Sequence, residues 1–101
     1  MRIETPKISE FLLEDFMIPL HISAYKLAKD IGVPASRIQD ILHDKRKITI
    51  DTSIRLGINF GVSEVFFMNL QNDIDLRNEK VAHEAEYKSI VRLQPVSAKT
   101  I

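Results

Sequence analysis

The chain has 101 residues, enough for one small domain with its own core, and 45% of them are apolar. It has no cysteine, which excludes disulfides, zinc–thiolate sites and thiol catalysis, and no apolar run approaches the ~20 residues of a membrane span or forms a leader, so the cytoplasm is the expected location. Net charge is zero, but residues 23–47 carry six Lys or Arg against three Asp while the flanking segments are acidic, and a local patch of this kind weighs more than the total.

In chain order, the apolar spacing predicts five helices and little strand. The first covers Ser9 to Ile18, with Phe11, Leu12, Phe16 and Met17 inward and Glu10, Glu14 and Asp15 outward, and Pro19 stops it. The second opens on Ser23 as N-cap and closes at Gly32, the expected left-handed stop. The third opens at Pro34, suited to a first turn, and runs to about His43. A polar, basic loop follows from Asp44 to Ile50. The fourth helix opens on Asp51 as N-cap and ends before Gly61. Gly57 lies inside it at a cost of about 1 kcal/mol against alanine, which implies close packing there. The fifth opens on Ser63 as N-cap, with Glu64 in the first turn where the helix dipole favours it, and runs to about Arg77 on an apolar face of Phe66, Phe67, Leu70 and Ile74. Residues 78–93 alternate charge with Val81, Ala82, Ala85, Ile90 and Val91 and read as a further helix or a partly ordered arm. Residues 94–101 read as a tail. The expected division is a domain over 1–77 and a C-terminal arm and tail over 78–101.

The segment 23–43 has the form of a helix-turn-helix. Leu27 and Ala28 face inward, Gly32 makes the turn, Val33 plugs it, and Ile38 and Ile41 hold the second helix down. The remaining face of that second helix, with Ala35, Ser36, Arg37, Gln39 and Asp40, is left to read base edges in a major groove of double-stranded DNA. Arginine can bond guanine O6 and N7, glutamine adenine N6 and N7, and aspartate the cytosine amine. Lys45, Arg46 and Lys47 form a charge run that elsewhere would be a solvated turn. Directly after a recognition helix it reads as a phosphate clamp. Ser23, Ala24 and Lys26, at the start of the helix before, add candidate backbone contacts.

Val65, Phe66, Phe67, Met68 and Leu70 put five apolar residues into six positions, too many for one buried stripe. One phenylalanine belongs to the core, and the surplus points to a homodimer interface. That dimer would also supply two recognition helices for a two-fold site. The His83-Glu84 pair begins like a zinc-protease helix, but Tyr87 stands where the second ligand is needed. His21 and His43 have no partners at metal spacing, and there is no phosphate-cradling glycine loop or nucleophile elbow. The chain is therefore expected to be neither an enzyme nor a cofactor protein, and to carry no metal.

The stretches EFLLEDFMIPLHIS, YKLAKDIGVPASRIQDIL and KRKITIDTSIRLGINFGVSEVFFMNLQNDIDL resemble the HigA/VapI group of bacterial antitoxins, within the Cro/cI-like (XRE) helix-turn-helix superfamily. The likeness covers about residues 8–76. It implies an all-α, five-helix, lambda-repressor-like DNA-binding domain. It also implies a dual role: repression of the protein's own operon as a dimer on operator DNA, and neutralisation of a HigB/RelE-like ribonuclease toxin. On that resemblance Ser36, Arg37, Gln39 and Asp40 meet bases, while Ser23, Lys45 and Arg46 meet the backbone. This sequence departs from the group at Lys7, Ile8 and Ser9, where His-Pro-Gly is common, and at Gly57 and Ile58, where alanine and a charged residue are. The alternative is a stand-alone phage-type or cellular transcription regulator without a toxin partner.

Overall fold

A computed structural model describes residues 6–93 as an all-α fold, with no strand among them. The first helix, α1 (Ile8–Glu10), continues without a break into a π-wound stretch, Phe11–Met17. There the Ile18 N–H reaches five residues back to the Leu13 carbonyl at 2.8 Å. The Glu10 carboxylate caps the start by accepting the Lys7 N–H at 3.0 Å, and the helix ends just before Pro19, as expected. α2 (Ala24–Ile31) opens on Ser23, whose Oγ accepts the Lys26 N–H at 3.1 Å, and closes on Gly32 at φ +76°. Glycine takes that left-handed conformation without the Cβ clash any other residue would meet. α3 (Ala35–Leu42) follows Pro34.

α4 (Ile50–Phe60), α5 (Phe66–Ala82) and α6 (Glu84–Lys88) complete the described residues. Three sequence expectations need correction here. The cap of α4 is Thr49, whose Oγ1 accepts the Thr52 N–H at 3.3 Å, so Asp51 sits in the first turn instead. Ser63 does not cap α5. It begins a separate tight turn, closed by Phe66 N–H to the Ser63 carbonyl at 3.0 Å, and α5 starts three residues later. α5 also runs five residues beyond Arg77, and α6 brings the α-helices among the described residues to six. The tail expected over 94–101 lies outside the described residues.

One core joins all the elements before α6. Leu12, Leu27, Ile38, Ile41, Ile48, Leu56 and Phe67 are fully buried and come from the first helix, α2, α3, the basic loop, α4 and α5. Burial of such side chains is the main stabilising term, at about 1.5–3 kcal/mol each. Phe16, Phe60, Phe66 and Phe67 cluster, with the Phe16 ring 4.7 Å from Phe60 and 5.1 Å from Phe67. Gly57 packs as its position implied: a Cβ there would stand 2.6 Å from the Ser63 carbonyl oxygen and 2.9 Å from the Glu64 Cα. Beside it, the buried Ser53 hydroxyl donates to the Glu64 carbonyl at 2.6 Å and accepts the Met68 N–H at 3.0 Å. Together these lock α4 onto the turn that precedes α5.

Candidate nucleic-acid interface

α3 lies across α2 with Ile38 and Ile41 pointing down, each with no exposed surface. The opposite side is therefore fixed outward. Ser36 and Gln39, three residues apart, are exposed there, flanked by the half-buried Ala35, Arg37 and Asp40. Ser36, Gln39 and Asp40 thus share the outward side of α3, Ala35 and Arg37 lie at its two edges, and their freedom differs. Asp40 lies 3.8 Å from the Arg46 guanidinium. Arg37 donates from Nη1 to Asp51 Oδ2 at 2.9 Å, and its side chain is 28% exposed. Only one of its five donors is committed, so the rest of the fork remains available. Ser36 and Gln39 have no side-chain hydrogen bond among the described residues. His43 Nδ1 faces the Gln39 carbonyl at 2.8 Å, and because a carbonyl only accepts, Nδ1 carries the proton.

Asp51 is a residue that sequence reading passed over as a mere cap. Its carboxylate takes Arg37 from α3 and both-oxygen contacts from Arg55 Nε at 3.0 and 3.1 Å. Arg55 Nη1 in turn donates to the Ile31 carbonyl at the end of α2, at 2.8 Å. The hydrogen bond from Arg37, reinforced by Arg55 and opposed by some loss of hydration, holds the Asp51 carboxyl below the usual carboxylate range. One carboxylate therefore fastens α2, α3 and α4 around the turn. The Asp51–Arg55 spacing of four was visible in the sequence; the partner 14 residues back was not.

The basic loop leaves α3 by a left-handed residue, Asp44 at φ +60°, with the Lys45 N–H bonded to the Asp40 carbonyl at 2.8 Å. Lys45, Arg46 and Lys47 are all exposed. Lys47 lies 3.3 Å from Asp75, and Lys45 has no ion pair among the described residues. Ser23 and Ala24 stand at the open N-terminus of α2, and Lys26 pairs with Asp30 at 2.7 Å. Ser23 accepts through its oxygen, so its hydroxyl proton stays free to donate. Among the described residues no group of three side chains converges to hold a metal ion, and no helix is long and apolar enough to cross a membrane.

The expected dimer surface divides. Phe67 is 0% exposed, sealed in the monomer's own aromatic cluster, so it is withdrawn from the interface set. Val65 and Phe66 are exposed, Phe66 by 40%, while Met68 and Leu70 are half-buried. Ile54 and Ile58, one turn apart on α4, add exposed apolar surface that the sequence reading left out.

Comparison with known proteins accords with this geometry. The family described as helix-turn-helix matches residues 13–67. Virulence-associated protein I of Dichelobacter nodosus is 40% identical over 76 residues, 73% of this chain and 70% of that one. The structure of Pseudomonas aeruginosa antitoxin HigA with the higBA promoter superposes with a TM-score of 0.82 at 32% identity, covering 90% of this chain and all of the other. Antitoxin GraA in complex with its operator gives a TM-score of 0.83 at 29% identity over 94% and 97% of the two chains. The two structures are of antitoxins, one with promoter DNA and one with its operator. With more than half of its length matched, this chain belongs to the helix-turn-helix family, among proteins similar to the HigA-type antitoxins.

Proposed function

We propose that the protein is an antitoxin that binds operator DNA as a homodimer, represses its own operon and neutralises a small HigB/RelE-like ribonuclease in the cytoplasm. The observation that carries this reading is the outward polar side of α3, with a fixed basic loop directly after it. α3 enters the major groove, Ala35, Ser36, Arg37, Gln39 and Asp40 approach the base edges, and Ser23, Ala24, Lys26, Lys45, Arg46 and Lys47 approach the phosphates. Val65, Phe66, Met68 and Leu70 face the second copy, which places the two α3 helices one DNA turn apart, ~34 Å. Similarity to HigA and GraA structures that contain promoter or operator DNA supports the DNA-binding half of the reading.

The toxin-binding half is supported by the far end of the molecule. Leu76, Val81 and Tyr87 on α5 and α6, with Ile90, Val91 and Leu93 beyond, are exposed and apolar. Exposed apolar surface of this kind marks a place for a protein partner. The test is co-expression with the product of the adjacent gene, then binding of the purified protein to the intergenic DNA upstream. Co-purification with a RelE-like ribonuclease and a specific complex with that DNA are expected. Gln39→Ala is expected to lose about 1–3 kcal/mol of discrimination at one base pair. Specific DNA binding without any toxin gene nearby would replace this reading with that of a stand-alone regulator.

A further inference from the structure

Gln71 is a polar side chain in the core, only 4% exposed, and both ends of its amide are used. Its Oε1 accepts the Ile48 N–H at 3.2 Å, and its Nε2 donates to Asp75 Oδ1 at 3.1 Å. The other oxygen of Asp75 lies 3.3 Å from Lys47 Nζ. Lys47 and Ile48 are neighbours, so the contacts close a ring: Ile48 backbone, Gln71 amide, Asp75 carboxylate, Lys47 ammonium. A leucine or methionine could fill this place on α5 with no partner at all. A buried amide is stable there only because each of its groups is bonded.

The ring ends the basic loop as firmly as α3 begins it. At the near end the Lys45 N–H is bonded to the Asp40 carbonyl and Arg46 faces Asp40. At the far end Ile48 is buried as an apolar plug, and Gln71 takes its N–H. A loop held at both ends presents its cations already ordered, so binding need not supply that order. We propose that Gln71 is a positioning residue for DNA binding: through Ile48 and Asp75 it sets the Lys45–Lys47 loop at the orientation in which its charges meet phosphates. The inference rests on the reading of that loop as a phosphate clamp. It gives the middle of α5 a role apart from any interface residues on that helix.

The test uses the full chain and a fluorescent duplex of the intergenic DNA upstream of its gene. Gln71→Met removes both amide contacts at nearly constant volume. The Ile48 amide should exchange faster with solvent, and DNA affinity should fall about tenfold, the scale of one well-made hydrogen bond. Relative penalties for changed base pairs should stay as in the wild type, because α3 itself is untouched. Gln71→Glu combined with Asp75→Asn re-forms the contact with donor and acceptor exchanged, and affinity should return to within about threefold. A Gln71→Met protein that is folded and binds with wild-type affinity overturns the proposal. If Gln71→Met does not fold, the exchanged pair decides. Restored binding supports the role, and a folded exchanged pair about tenfold weaker overturns it. Lys45→Ala separates the two layers. Weakened binding there without any effect of Gln71→Met overturns the positioning role alone. An unchanged Lys45→Ala withdraws the phosphate reading beneath it.

Discussion

Gly57 and Asp51 show how single positions carry this fold. Replacing Gly57 with alanine gains helix propensity of about 1 kcal/mol. The new Cβ would meet backbone, the Ser63 carbonyl at 2.6 Å and the Glu64 Cα at 2.9 Å, and backbone does not move aside cheaply. The clash outweighs the propensity, and Gly57→Ala is expected to destabilise by about 1–3 kcal/mol net, read from a urea midpoint. Asp51 gives a pH-dependent case. Its folded pKa is depressed by Arg37 first and Arg55 second. Its contribution to stability is therefore present above the unfolded carboxylate value and disappears as pH falls through the folded one. The stability gap between wild type and Asp51→Asn should be full at neutral pH and shrink as the pH drops below about 4. Equal gaps at pH 7 and pH 3 would show that the arginine contacts contribute nothing.

At the scale of elements, α2, the turn and α3 were legible because each boundary has one clear chemical signal: a serine cap, a glycine at φ +76°, a proline. The start of α4 was ambiguous. Thr49 and Asp51 are both good caps, and what decides is the Thr49 hydroxyl reaching the Thr52 N–H. The start of α5 was displaced because Ser63 spends its hydroxyl on the Val65 N–H in a turn rather than on a helix. The length of α5 was obscured because residues after Arg77 are exposed and show no apolar period, although charged residues sustain helix well. Which phenylalanine was core could not be read locally, since the answer lies partly in Phe16, on the first helix and far off in sequence. Gln71 was hidden for the same reason, as its partner Ile48 is 23 residues away. α6 contacts α5 and has no buried residue. Its amides are accordingly expected to exchange with solvent at least about tenfold faster than those of α3, by native-state hydrogen exchange. Equal protection would mean that α6 is covered in solution.

Across the whole molecule, the charge balance of zero conceals a directional arrangement. The basic loop and α3 form one side, the Val65–Leu70 region another, and the apolar α5–α6 arm extends a shape 53 Å in its longest dimension. The proposed homodimer is testable at this scale. Val65→Asp puts a charge on a side chain already 53% exposed in the monomer and outside the aromatic cluster. It is expected to shift sedimentation toward the monomer while leaving helical content unchanged, and to weaken operator binding by at least about tenfold through loss of the paired half-site. Retention of the dimer would move the interface elsewhere.

The Asp51 carboxylate, gripping one arginine from α3 and another one turn along its own helix, has a practical corollary. Transplanting the eight residues of α3 into a foreign scaffold to redirect that scaffold's specificity would deliver an Arg37 with nothing to lean on. A working graft must bring the first turn of α4 along with it, so the smallest exchangeable reading head of this protein is longer than the helix that does the reading.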